Sequence, residues 1–295
     1  MLYWRAAYWV LGLAALVVAV VALRAVAESR SEHRQPLDLP GLVLLAGGMS
    51  ALLAALVEGR HDWTSPIVLA LAVGAAVLLG AFVLVERRTA APMLDLGLFR
   101  HPPFVAATVA ALATGGGIIA LLSYLSGFVG LALHVPALGA AALMLLWSVT
   151  SVVTALLARR IPARVSGRAQ LAAGLVGVAV GQLGLWHLSP GDGWQRFVPG
   201  LLVAGVASGV LNAALGREAV ASVPPGRGSV GSGANNTARY VGSALGVTVV
   251  SVIAAATSPE GLVDGWNRAV LVTAAVSLVG ALVVLAARER VAAQR

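Results

Sequence analysis

The chain has 295 residues, 59% apolar and only 11% charged, with mean hydropathy +0.91. Soluble domains carry about 25% charged residues, so a water-facing globular surface is excluded. Cysteine and lysine are both absent, which excludes disulfides, thiolate metal sites and lysine Schiff-base chemistry.

Nine stretches reach the length of about 20 apolar residues that crosses a bilayer. The first, 7–24, lies between Arg5 and Ala25-Val26-Ala27. It also has the form of a signal peptide, but cleavage there would invert the side on which every later loop lies. Gln35-Pro36-Leu37-Asp38-Leu39-Pro40 leads into the second span, 40–57, and Trp63-Thr64-Ser65-Pro66 into the third, 66–85. After Ala91-Pro92 and His101-Pro102-Pro103 comes the fourth, 104–125, interrupted by Gly115-Gly116-Gly117. That triplet is expected to be a bend or a point of close packing. The fifth and sixth spans are 137–158 and 169–188. Ser189-Pro190-Gly191-Asp192-Gly193 precedes the seventh, 197–216; Val223-Pro224-Pro225-Gly226 precedes the eighth, 235–256; the ninth is 269–287. The valine-rich runs exceed strand length and lack turn signals. The expected fold is therefore all-α, a polytopic membrane bundle of about nine transmembrane helices.

Arginine fixes the expected orientation. With residue 1 outside, 16 of the 20 arginines fall in cytoplasmic segments, and only Arg5, Arg60, Arg196 and Arg268 lie outside. Positive residues collect on the cytoplasmic side. An integral protein of the plasma (inner) membrane is expected, with its N-terminus outside and its C-terminus in the cytoplasm. The formal charge of +8 is accounted for in this way, and no nucleic-acid partner is expected. The lipid bilayer is the expected partner.

Chemistry-bearing motifs are scarce. Gly226-Arg227-Gly228-Ser229-Val230-Gly231 matches G-x-G-x-x-G, but a dinucleotide site needs a strand before it, and Pro224-Pro225 stand there. It reads as a loop. His33, His61, His101, His134 and His187 show no ligand spacing, and no hydrolase or zincin motif occurs. No catalytic residue, metal or cofactor is expected, and the chain is not read as an enzyme. No Asp or Glu falls in the middle of a span, although intramembrane proton relays use such groups.

Two patterns remain. Gly177 and Gly181, Gly205 and Gly209, and Gly242 and Gly246 are four apart, a spacing that lets helix backbones approach closely in lipid. The few polar residues within spans also follow helical spacing: Ser123, Tyr124 and Ser126; Ser148 and Ser151; Ser208 and Asn212; Asn236, Arg239 and Ser243. Such residues either line a cavity or bond helix to helix. Arg239 lies near a span end, where it snorkels to the interface or serves a gate.

Several runs, in order, resemble the 14-span drug:proton antiporter branch of the major facilitator superfamily. Trp4-Arg5 before an apolar helix is similar to the start of that family's sixth span. Glu28-Ser29-Arg30 and Leu37-Asp38-Leu39-Pro40-Gly41 are similar to the entry to the seventh. Trp63-Thr64-Ser65-Pro66 precedes the eighth. Glu86-Arg87-Arg88, Pro92-Met93-Leu94-Asp95-Leu96 and Leu98-Phe99-Arg100 precede the ninth, and Asn236-Thr237-Ala238-Arg239 with Gly242 and Gly246 resembles the thirteenth. The resemblance implies that 1–27 is the last helix of an otherwise missing N-terminal bundle. It makes 28–100 two linker transmembrane helices, and 101–295 a C-terminal six-helix bundle with a cytoplasmic tail. The family's frequent glutamine near Tyr124-Leu125-Ser126-Gly127, and its proline near Leu146-Trp147-Ser148, are not found here.

The implied function is membrane transport by alternating access, as part of a proton-coupled efflux system for small organic compounds or drugs. The small organic substrate and the proton become partners once the first five spans are supplied. Tyr124, Ser126, Ser148, Ser151, Ser208, Asn212, Asn236 and Ser243 are the implied substrate-cavity residues, and Arg239 the inner-gate residue. The alternative is a non-transporting truncated membrane protein or a helical partner subunit.

Overall fold

The structure, a computed structural model, describes residues 3–25, 38–59, 62–89, 92, 94–162, 164–189, 191–254 and 259–287. Every regular element among the described residues is a helix, and there is no strand. Glu28-Ser29-Arg30 and the tail with Arg288, Arg290 and Arg295 lie outside them, as do Val26 and Ala27 of the cleavage-like triplet.

Contacts divide the chain into two units, Met1–Pro36 and Leu37–Arg295. The first unit holds one apolar helix of 23 residues, α1 (Tyr3–Ala25), with Arg24 in its last turn.

The second unit opens on a hairpin. In α2 (Leu39–Glu58), Asp38 caps the first turn by accepting from the Gly41 amide at 2.8 Å, and Pro40 sits where its missing N–H costs nothing. α3 (Pro66–Arg88) begins on a proline and ends on Arg87 and Arg88, cations that complement the carboxyl end of the helix dipole.

A long rod follows. α4 (Pro102–Thr114) runs into a π turn (Gly115–Ile119) and continues as α5 (Ala120–Ala132). The Ala120 amide donates to the Gly115 carbonyl five residues back, the widened spacing that defines such a turn. Close packing, the second of the two roles expected for the glycine triplet, is what the structure shows: all three glycines are buried.

The remaining helices are α6 (Ala137–Leu157), α7 (Gly167–Leu183), α8 (Val198–Ala221), α9 (Gly228–Ile253) and α10 (Pro259–Ala286). Among the described residues, seven helical segments are long and apolar enough to cross a bilayer: α1, α2, α3, the α4–α5 rod, α6, α8 and α10. The other two expected spans are helices of the same unit. α7 has only 17 residues, and α9 carries Asn235, Asn236, Arg239 and Tyr240. Several boundaries shift: the rod runs to Ala132 rather than 125, α8 to Ala221 rather than 216, and α9 starts at Gly228 rather than 235, so that Gly228–Gly231 of the motif read as a loop is helical. The sixth segment stops at Leu183 rather than 188, because Leu185–Leu188 turns to meet α10. The last helix starts at Pro259 rather than 269; its first turns hold Asp264, Asn267 and Arg268, polar residues that hid them from a search for apolar length.

Packing follows the small residues. α7 packs on α8 and α10, α6 on α8, and the rod on α9 and α10. A Cβ on Gly181 would stand 2.4 Å from the Ala204 nitrogen, one on Gly209 2.4 Å from the Ser151 carbonyl oxygen, and one on Gly242 2.1 Å from the Leu112 carbonyl oxygen. All three glycine pairs read from the sequence mark helix seams, as expected where dispersion rather than water drives association. The hairpin is joined to the same unit. Thr248 Oγ1 donates to the Leu56 carbonyl at 3.1 Å, and Glu86 accepts from the Leu94 amide at 3.0 Å. Arg227 donates to the Pro92 carbonyl at 2.8 Å.

Candidate functional site

The polar residues singled out by spacing divide into three settings. The first is the α6–α8 seam. Ser208 is 1% exposed and Ser151 8% exposed, and the Trp147 indole donates to Ser208 Oγ at 3.3 Å. Gly205 and Gly209 press α8 onto the Trp147–Ala155 stretch of α6. A buried hydroxyl needs a partner in a dry interior, and here the neighbouring helix supplies it. Ser208 thus stands in the helix-joining setting, and buried Ser151 lies in the same seam, its backbone carbonyl against Gly209. Asn212, one turn past Ser208, is half-buried.

The second setting is a hollow between α5 and α6. Ser126 and Ser148 line it together with Ala137, Ala140, Ala141, Met144 and Leu145. Two hydroxyls on an otherwise apolar wall suit a mostly apolar organic molecule with one or two polar groups. Tyr124, two residues from Ser126, is turned elsewhere. Its hydroxyl donates to the Ala254 carbonyl at 3.3 Å, and its ring stacks with Trp266 at 6.4 Å.

The third setting is the face of α9. Asn236 and Tyr240 are exposed, and Arg239 and Ser243 are half-buried. Arg239 donates to Asn236 Oδ1 at 2.9 Å, and its guanidinium carbon lies 5.8 Å from the Tyr240 ring centroid. That pairing holds a permanent cation on an accessible helix face, with an aromatic ring beside it. The backbone of α9 behind it is fixed on the rod: a Cβ on Gly115 would fall 2.0 Å from the Arg239 carbonyl oxygen and 2.6 Å from the Ser243 nitrogen. The structure therefore brings together Ser126 with Ser148, and Asn236 with Arg239. No side-chain hydrogen bond among the described residues joins the hollow to the α9 pair.

Several residues lay outside the sequence reading. Asn235, rather than its neighbour, is buried and donates to the Ala107 carbonyl at 3.3 Å. Trp266 is fully buried and stacks on Phe128 at 4.6 Å. Its indole donates to the Leu185 carbonyl at 2.9 Å, and Asn267 both accepts from the Leu188 amide and donates to its carbonyl. The four-residue step from Tyr124 to Phe128 was the one available signal for this cluster. Gln182 and Ser277 are hydrogen-bonded at 2.9 Å in the buried α7–α10 seam.

Among the described residues, acidic side chains lie in loops or towards helix ends. Glu86 is in the last turn of α3 and buried, and Glu218 is in the last turn of α8. Among the described residues, no three histidine, aspartate or glutamate side chains are placed to hold a metal.

The Major Facilitator Superfamily model matches residues 1–247. The probable actinorhodin transporter of Streptomyces coelicolor is 31% identical over 264 residues, which cover 85% of this chain and 45% of that protein. The puromycin resistance protein pur8 of Streptomyces alboniger is 30% identical over 256 residues, 81% of this chain and 50% of the relative. The multidrug efflux pump LfrA of Mycolicibacterium smegmatis is 28% identical over 252 residues, 85% and 50%. The chain spans about half the length of the curated relatives it matches.

Proposed function

The chain belongs to the Major Facilitator Superfamily, and from that premise we propose that it forms part of a proton-coupled efflux transporter for small organic compounds. It is an integral membrane protein. The observation that carries the proposal is the match along 1–247 together with relatives named for efflux and resistance. The glycine-seamed bundle supports it, because smooth close contacts let packed helices move as one body in a rocking cycle.

In this reading residues 1–27, 28–100 and 101–295 are the last helix of one bundle, a linker pair and a second bundle. The substrate meets the second bundle at the Ser126–Ser148 hollow and at the α9 face. The apolar wall takes up the body of the substrate, the hydroxyls fix its polar groups, and Arg239 with Asn236 faces the inner gate. Transport does no covalent chemistry; each conformation binds substrate and proton with a different affinity, and that difference drives the cycle. Among the described residues no Asp or Glu lies in the middle of a span.

The site assignment is tested by drug accumulation in cells expressing a transport-competent form that contains this chain. Arg239→Ala, Asn236→Ala and the pair Ser126→Ala with Ser148→Ala are expected to raise accumulation several-fold with membrane insertion intact. Ser151→Ala is expected to act only through stability. Normal efflux by the first three variants would remove the site from the proposal.

A further inference from the structure

At the end of α6 the chain passes directly from an apolar surface to paired cations. Val153, Leu156 and Leu157 are 49%, 55% and 47% exposed, and with Arg159 and Arg160 they line one hollow. The two arginines occupy a short 3-10 turn (Ala158–Arg160) that Ile161-Pro162 terminates. Arg159 Nε donates to the Leu156 carbonyl at 3.2 Å, which ties the base of its side chain to the helix and leaves its terminal nitrogens available. Both arginines are exposed, and no ion pair among the described residues involves them.

A second hollow shares Arg159 but differs in charge. It is lined also by Ser166, Gly167, Gln170, Arg217 and Glu218. There Arg217 is engaged with Gln170 Oε1, and the Glu218 carboxylate sits against Gly167. That carboxylate offsets Arg217 and would repel an anion. The uncompensated positive charge therefore belongs to the first hollow.

We propose that the Arg159–Arg160 turn and the adjoining Val153–Leu157 surface bind one anionic phospholipid. The guanidinium groups take its phosphate, and the exposed valine and leucines take the upper part of an acyl chain. Charge complementarity selects this occupant. Guanidinium is planar, always charged and matched to phosphate oxygens. The apolar wall continues along a membrane-spanning helix through exposed Val149 and Val152, a feature that a free phosphate would leave unused. The inference needs only membrane insertion and does not depend on what the chain transports.

The test uses the full chain purified in detergent, with dioleoyl phosphatidylglycerol or dioleoyl phosphatidylcholine added and retained lipid counted by native mass spectrometry. Phosphatidylglycerol is expected to be retained preferentially, with roughly a fivefold loss for each of Arg159→Gln and Arg160→Gln. Arg196→Gln and Arg268→Gln, exposed arginines away from this hollow, are expected to leave retention unchanged. Arg159→Lys with Arg160→Lys keeps the charge and is expected to recover most of it, which separates lost binding from lost folding. Equal retention of the two lipids, or undiminished phosphatidylglycerol in the double glutamine variant, would overturn the proposal. Full displacement by glycerol 3-phosphate would make this a headgroup-only anion site, and an arginine-dependent dimer would make it a protein contact; either result also overturns it.

Discussion

Asn235 and Asn236 are adjacent and chemically identical, yet the turn of about 100° between successive helical residues puts one against the rod and leaves the other exposed. Asn235 is 8% exposed and bonds the Ala107 carbonyl of the rod, whereas Asn236 is exposed and accepts from Arg239. Asn235→Ala is expected to destabilise the bundle by about 1 kcal/mol, the scale of a hydrogen bond between membrane helices. Asn236→Ala is expected to leave stability unchanged. Denaturant titration of the two purified variants measures the difference, and equal stability would contradict the assignment. Sequence spacing correctly put Asn236, Arg239 and Ser243 on one stripe. It could not say which stripe faces a neighbour, because in α9 small and apolar residues occur all round the helix. The same ambiguity hid the setting of Ser208: its helical register was legible, but its partner Trp147 lies 61 residues away.

At the scale of the element, the helices were legible because bilayer thickness demands long apolar runs. Breaks in those runs were marked by prolines such as Pro40 and Pro66, and the structure adds the capping side chains of Asp38 and Ser166. Helix that extends beyond the hydrocarbon was not legible, and the start of α10 is the clearest case. Glycine pairs announced seams without naming partners, since a glycine states only that something comes close. The rod–α9 seam gives a direct check. A Cβ on Gly115 would meet the Arg239 carbonyl oxygen at 2.0 Å, whereas one on Gly127 would meet nothing within 4 Å. Both are helical, so the change in intrinsic propensity is comparable. Gly115→Ala is expected to cost about 1–3 kcal/mol through overpacking and to lower the melting temperature. Gly127→Ala is expected to be neutral or slightly stabilising. Thermal denaturation of both variants in the same detergent decides between them, and equal melting temperatures would contradict close packing at the π turn.

For the whole molecule, charge placement sets the expected orientation and family membership sets the expected mechanism. A reporter fused after Arg295 is expected to be active only in the cytoplasm; activity on the outer side would reverse the arginine argument. Transport by rocking bundles needs two bundles around a midplane site. In the proposed reading residues 101–295 supply one, and the chain spans about half the length of its curated relatives. The central claim is that this bundle is one working half of a gradient-driven efflux transporter. The measurement that tests it most directly is drug accumulation in cells with and without a proton gradient, comparing the 295-residue chain alone with the chain supplied with five upstream spans from a close relative. The account predicts gradient-dependent efflux only when those spans are present. Gradient-dependent efflux by the 295-residue chain alone, or none in either case with both proteins inserted, would contradict it.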